Sequence, residues 1–120
     1  METEGVVGVD LIEIERVERA LERHPRLAER IFWPGELESS QRGRPGRHLA
    51  ARFAAKEAAL KALGLGGLAL RDVEVVGGGN SAPELRLHGR AAEAAARQGV
   101  ELCVSLTHSR DLATAVVVAR

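Results

Sequence analysis

The chain has one cysteine, one tryptophan, two phenylalanines, no tyrosine and a formal net charge of zero. Each shortage excludes something. The lone Cys103 cannot build an intrachain disulfide framework or anchor a cysteine-based zinc site. So few aromatic rings make a poor platform for stacking single-stranded nucleic-acid bases. With 17 Lys+Arg against 17 Asp+Glu, the charge balance argues against a bulk polyanion binder, so no nucleic-acid partner is expected. No apolar run approaches the ~20 residues that span a bilayer. Met1–Glu4 is acidic and polar, unlike a signal peptide. The expectation is a protein of the reducing cytoplasm, with no membrane association.

What the chain does have is enough to fold. Its 120 residues are 45% hydrophobic, which predicts a cored single domain over residues 1–120. Lysine is nearly replaced by arginine: Lys56 and Lys61 are the only two.

The pattern along the chain predicts an α+β fold, helices packed on an antiparallel sheet. Val6–Val9 reads as a short strand. A helix is expected from Leu11 to about His24, with Ile14, Val17 and Leu21 forming its apolar stripe. Short helices follow over Arg26–Phe32 and from Pro34 to Ser39, the proline suiting a first turn. Gln41–Arg47 is a Gly/Pro/Arg loop. It leads into the longest helix, about His48–Leu63, rich in Ala, Leu, Glu, Lys and Arg and closed by Gly64. Val73–Val76 and Glu84–His88 read as strands joined by the loop Gly77–Pro83. Ala91–Gln98 is a short helix. Val100–Leu106 alternates as a strand, Thr107–Asp111 is a polar turn, and the apolar run Ala113–Ala119 suits a central strand, the last two strands forming a hairpin.

Several groups could carry chemistry. Asp10 falls where the first strand meets the first helix, which fits either an N-cap or a ligand. Glu57 stands between Phe53 at i−4 and Lys61 at i+4; Glu57 and Lys61 have the spacing of a helical ion pair. Yet both lysines of the chain lie on this helix, and a point-charge ammonium suits phosphate. Two carboxylates from separate elements, completed by substrate phosphate and water, are the usual protein share of a Mg²⁺ site. His108 sits among Ser105, Thr107, Ser109 and Arg110, a set of donors that suits a phosphate. Arg42, Arg44 and Arg47 precede the long helix and suit an anion. Arg16, Arg19, Arg23 and Arg26 follow helical spacing, either a solvated face self-paired through Glu15 and Glu22 or a surface for an acidic partner.

Three segments resemble the holo-[acyl-carrier-protein] synthases, the small 4′-phosphopantetheinyl transferases. They are Gly8-Val9-Asp10-Leu11-Ile12-Glu13-Ile14 with Arg16-Val17, Arg52-Phe53-Ala54-Ala55-Lys56-Glu57-Ala58 with Lys61-Ala62-Leu63-Gly64, and Val104-Ser105-Leu106-Thr107-His108-Ser109 followed by Ala113–Val118. Their order and separations fit that family nearly end to end. The resemblance implies a long helix packed on an antiparallel sheet and a homotrimer with active sites between subunits. It implies transfer of the phosphopantetheine arm of coenzyme A to a serine of apo acyl carrier protein, with release of adenosine 3′,5′-bisphosphate, in support of fatty acid biosynthesis. Asp10 and Glu57 then match the Mg²⁺ carboxylates. Lys61 matches a lysine near the pyrophosphate, and His108 a histidine from the adjacent subunit. Arg44, Arg52, Phe53, Lys61, Gly64, Pro83 and His108 fall to coenzyme A. Arg16, Arg23 and Arg26 fall to the acidic carrier protein.

The chain departs from that pattern at three places. Leu65 stands in a Gly-Thr-Gly segment, Trp33-Pro34 replaces a threonine before the short acidic helix, and His48 takes a position associated with phenylalanine. For the proton lost by the attacking serine, a Mg²⁺-ordered water, Glu57 and Glu36 are the open choices. The same residues also admit a Mg²⁺-dependent nucleotide pyrophosphohydrolase, or a non-catalytic trimeric module. An incubation with coenzyme A, Mg²⁺ and apo carrier separates the three.

Overall fold

The computed structural model describes residues 6–78 and 81–120. The Met1–Glu4 segment and Gly79 of the glycine run lie outside them. Strand β1 (Val6–Glu13) is followed by helices α1 (Ile14–Arg23), α2 (Leu27–Ile31), α3 (Pro34–Ser39) and α4 (Pro45–Leu63). A 3-10 segment, Gly67–Asp72, leads to β2 (Val73–Gly78) and β3 (Ser81–Leu87), then α5 (Gly89–Gln98), β4 (Leu102–His108) and β5 (Leu112–Ala119). The expected α+β class is observed, with two antiparallel sheets: one ordered β1-β5-β4, the other β2-β3.

The Ala113–Ala119 run is the central strand, and β4 with β5 forms the expected hairpin. Leu102, Val104 and Leu106 point inward and are half-buried, while Cys103 and Ser105 face out. Helix α4 lies across this sheet. Its alanines 54, 55, 58, 59 and 62 are buried, and small side chains let the helix axis come close to the strands. It ends at Gly64, whose φ of 74° is the left-handed cap that glycine adopts without penalty.

Four expectations need correction. The helix expected from Leu11 begins only at Ile14, because β1 pairs with β5 without interruption from Val6↔Ala119 to Glu13↔Leu112. The apolar stripe survives: Ile14 and Val17 are buried and Leu21 is half-buried. Helix α1 ends at Arg23, so the arginine row does not continue to Arg26 on one helical face. Helix α4 starts earlier, at Pro45, with proline in its first turn. The loop expected over Gly77–Pro83 is largely strand, and Pro83 sits in β3 beside a register shift between Val76 and Gly78. Proline has no N–H for the ladder, and an irregularity tolerates it.

The tightest approach is β1 on α4. A Cβ added at Gly8 would lie 1.9 Å from the backbone oxygen of Ala58, with no flexible side chain to yield. Gly8→Ala is therefore expected to destabilise the fold by about 3 kcal/mol, the upper part of the overpacking range, or more. Gly35→Ala, where a Cβ meets nothing within 4 Å, should leave stability unchanged or raised. Urea unfolding midpoints of the two variants check this.

Candidate active site

Asp10 is not a helix cap. It lies inside β1, opposite Ala115, and the residue at the N-cap of α1 is Glu13. Its side chain shares the inward face of the strand with Gly8 and Ile12, toward α4. Thr114 Oγ1 donates to the Asp10 carbonyl oxygen at 2.8 Å, fixing the strand there. Lys61 does not pair with Glu57 as helical spacing suggests. It reaches from α4 to β1, donating to Val9 O at 3.1 Å and Asp10 Oδ1 at 3.2 Å.

Glu57 is half-buried beside this pair. Burial, then the facing charge of Asp10, raise its pKa above 4.5, and Lys61 offsets part of that. A half-buried carboxylate facing a second negative charge gains from a cation placed beside it. Space for one is kept by Gly67, where a Cβ would stand 3.5 Å from Glu57 Oε1. Among the described residues no third His, Cys, Asp or Glu joins them. Two hard oxygen ligands with the remaining positions open suit Mg²⁺ shared with phosphate and water, and do not suit a closed zinc site.

A second set of groups lines a cleft of about 880 Å³ walled by α3, α4, β2, β3 and β4. It gathers Arg52, Pro83 and His108 of the expected coenzyme residues, together with Arg42 and His48. Arg52 is only 7% exposed. Its Nη2 makes two long contacts, 3.4 Å each, to Ser39 Oγ and Gly77 O, and its Nε is buried without a partner. Burial lowers its pKa. This is a desolvated cation without a carboxylate bonded to it, on the wall of an open cleft. His108 is at the end of β4 rather than in a turn, packed edge-on against His48 with ring centroids 5.9 Å apart. Burial, and then the charges of Arg47 and His48, lower its pKa below 6.5, so it is neutral at pH 7.

Arg44, Phe53, Lys61 and Gly64 do not line this cleft. Arg44 makes a bidentate pair with Glu18 of α1, at 2.6 and 2.9 Å. Phe53 packs on the Ile31, Phe32 and Leu49 cluster. Arg16 and Arg23 are exposed on α1, where Arg19 pairs with Glu15. Arg23 and Arg26 do come together, with His24 and Arg30, around a second hollow at the α1–α2 corner.

Sequence reasoning missed a buried ion pair. Lys56 Nζ bonds Glu36 Oε1 at 2.8 Å and Val73 O at 2.5 Å. Glu36 also accepts from Trp33 N at 2.8 Å and Val75 N at 3.0 Å. Glu36 is thus sealed in the core and is not available as a proton acceptor. The lost threonine cap of α3 is replaced in part by this carboxylate. Trp33 itself stacks on His88 with centroids 4.3 Å apart, lies under Arg71 and donates its Nε1 to Arg71 O at 2.8 Å. The only signal for Lys56 was its rarity in an arginine chain.

The sequence profile of the 4′-phosphopantetheinyl transferase superfamily matches residues 6–117. The chain belongs to that superfamily, among the holo-[acyl-carrier-protein] synthases. A holo-[acyl-carrier-protein] synthase of Moorella thermoacetica is 49% identical over 113 residues, 91% of this chain and 88% of that protein. One of Halorhodospira halophila is 49% identical over 118 residues, 93% of this chain and 94% of that protein. Among solved structures, a Chronobacterium ammoniagenes ACPS-CoA complex superposes with TM-score 0.87 at 30% identity, covering 98% of each chain. The chain is therefore an enzyme of the phosphopantetheinyl transferase family.

His108 offers a direct check of the cleft electrostatics. Its imidazole should titrate below 6.5 by NMR, and Arg47→Ala should move the midpoint up. Because the unfolded chain then holds this proton more tightly, the residue's contribution to stability is present above 6.5 and is lost as pH falls toward the folded value. Arg47→Ala should reduce that loss.

Proposed function

We propose that this enzyme transfers the 4′-phosphopantetheine group of coenzyme A to a serine hydroxyl of apo acyl carrier protein. It releases adenosine 3′,5′-bisphosphate, uses Mg²⁺ and serves fatty acid biosynthesis in the cytoplasm. Residues 1–120 act as one domain, in a homotrimer whose sites lie between subunits.

The observation that carries the shared site is the distribution of groups around α4. His48 and Glu57 are nine residues apart, as are Arg52 and Lys61, which at 100° per residue sets each pair about 180° apart around the helix. Asp10 and His108 likewise stand on the two edge strands of the β1-β5-β4 sheet, two residues out of register and about 12 Å apart across β5. This separation supports a site in which the carboxylate patch of one copy meets the cationic cleft of the next. The outer face of this sheet suits such an assembly. Val7 is 57%, Val9 51% and Leu11 63% exposed, with Leu112 and Val116 exposed beside them. Uncovered apolar surface of this kind marks association.

Asp10 and Glu57 would hold Mg²⁺, which when bound supplies charge neutralisation at the pyrophosphate. Lys61, tethered to β1, adds a positive charge at the same place. Arg52 and Arg42 hold the anionic nucleotide end in the cleft of the neighbouring copy, and His108 donates a hydrogen bond toward the phosphates. The serine oxygen forms a bond to the phosphorus bearing the pantetheine arm. The bond from that phosphorus to the oxygen of the departing bisphosphate breaks, and the serine proton passes to a base. With Glu36 buried, Glu57 and a Mg²⁺-ordered water remain of the three acceptors. Solved structures of holo-[acyl-carrier-protein] synthase from Helicobacter pylori in complex with coenzyme A (28% identity, TM-score 0.81) support the substrate.

Asp10→Asn or Glu57→Gln should reduce the mass gain of apo carrier about 100-fold or more, the scale for losing one electrostatic stabiliser, with unchanged circular dichroism. Unfolding and refolding Asp10→Asn together with His108→Ala should restore part of the activity, because mixed trimers contain sites with neither change. Demonstrated heterotrimers without recovery would place His108 in its own subunit's site.

Carrier docking has its own test. Arg16→Glu with Arg23→Glu should raise KM for the carrier and leave KM for coenzyme A unchanged, since charge reversal on α1 opposes association with an acidic partner. Steady-state kinetics at two salt concentrations separate this from a self-paired surface, for which neither constant moves.

A further inference from the structure

We infer that Lys56 and Glu36 are positioning residues for the coenzyme cleft: their buried pair sets the gap between α3 and β2 and leaves the Arg52 guanidinium free for an anion. The inference rests on the reading of the cleft as the coenzyme A site.

Helix α3 has only six residues, and its N-cap Trp33 is held by Glu36 of the same helix; so short a helix is held by tertiary contacts rather than by propensity. Its Gly35 and Ser39 form one wall of the cleft, and Val75, Gly77 and Gly78 of β2 form another. Two cations on α4 bridge these walls. Lys56, fully buried under the ring of Phe32, bonds Glu36 of α3 and Val73 of β2. Arg52, one turn earlier on the same helical face, touches Ser39 of α3 and Gly77 of β2. The two bridges differ in quality. Lys56 is saturated at short distances, while Arg52 holds on at 3.4 Å with its Nε unpartnered. The inner bridge carries the structure, so the outer cation keeps bonding capacity for a ligand.

The arrangement has a built-in competition. Glu36 is the carboxylate nearest in charge to Arg52 after Lys56 is satisfied, and its field already acts on the Arg52 guanidinium. Remove the Lys56 ammonium, and a buried carboxylate is left without its cation, a strongly unfavourable state. Arg52 is the cation placed to relieve it, by turning inward from the cleft wall. Loss of Lys56 therefore costs ligand affinity through Arg52. Removing the Glu36 charge as well abolishes the pull and returns Arg52 to the cleft. A merely structural pair would lower the stability of the single variant without moving the bisphosphate affinity of its folded form.

The test titrates adenosine 3′,5′-bisphosphate into the whole assembled protein by calorimetry: wild type, Lys56→Met, Lys56→Met with Glu36→Gln, and Arg52→Ala as reference. Lys56→Met should weaken binding about tenfold or more, on the scale of one charge-assisted hydrogen bond, approaching Arg52→Ala. The double variant should recover to within about threefold of wild type. In steady state, KM for coenzyme A should rise in Lys56→Met while KM for the carrier stays put. Unchanged affinity in Lys56→Met, or a double variant as weak as the single one, overturns the inference. Should Lys56→Met not fold, Lys56→Gln, which keeps a donor toward Val73 O, carries the same comparison. Failure of wild type itself to bind the bisphosphate would instead remove the coenzyme reading of the cleft, a result visible without any variant.

Discussion

The distance between β1 and α4 is the constraint on which the rest depends. Gly8 sits against the Ala58 backbone with no room for a methyl group, and the alanines of α4 keep the two elements close along their shared length. That contact brings Asp10 beside Glu57, and it does so against the electrostatic preference of Glu57, which burial and the Asp10 charge make harder to ionise. Packing supplies the force that charge opposes. Lys61 and Thr114, both anchored on β1 near Asp10, hold the strand at that height. The pair of acids is thus preorganised for a cation by the core itself.

The same helix organises opposite chemistry on its far side. Carboxylates and an exposed ammonium lie on the β1 face, while a desolvated guanidinium and two imidazole groups lie toward α3 and β4. A helix that is buried on nearly every side is a rigid separator between them, and rigidity matters because both patches depend on unpaired or repelling groups staying where they are.

Local patterning made α4, its glycine end, the alternation of β4 and the central β5 strand legible in the sequence, because each is decided by residues within a turn or two. The three motif segments made the family legible. The boundary of β1 was not, because the stripe Ile14, Val17 and Leu21 reads equally well as a helix begun earlier. The register with β5, from the other end of the chain, decides it. The contact of Lys61 with Asp10 was not legible for the same reason: spacing along a helix says nothing of a strand packed beside it. Glu36 and Lys56 are 20 positions apart with no periodic relation, so their pairing became visible only in three dimensions. The cleft draws on five separate elements, and Arg44 was hidden from it by Glu18, which comes from α1.

Trp33 is the chain's only tryptophan, and there is no tyrosine. Its indole stands at the entry to α3, stacked on His88 and roofed by Arg71. Near-ultraviolet emission from a subunit therefore arises from one place, the hinge point of a cleft wall. An imidazole in ring contact and a bonded indole N–H make that emission sensitive to any displacement of α3. Trp33 thus gives the molecule an intrinsic fluorescent gauge of how firmly that wall is seated, readable without a label.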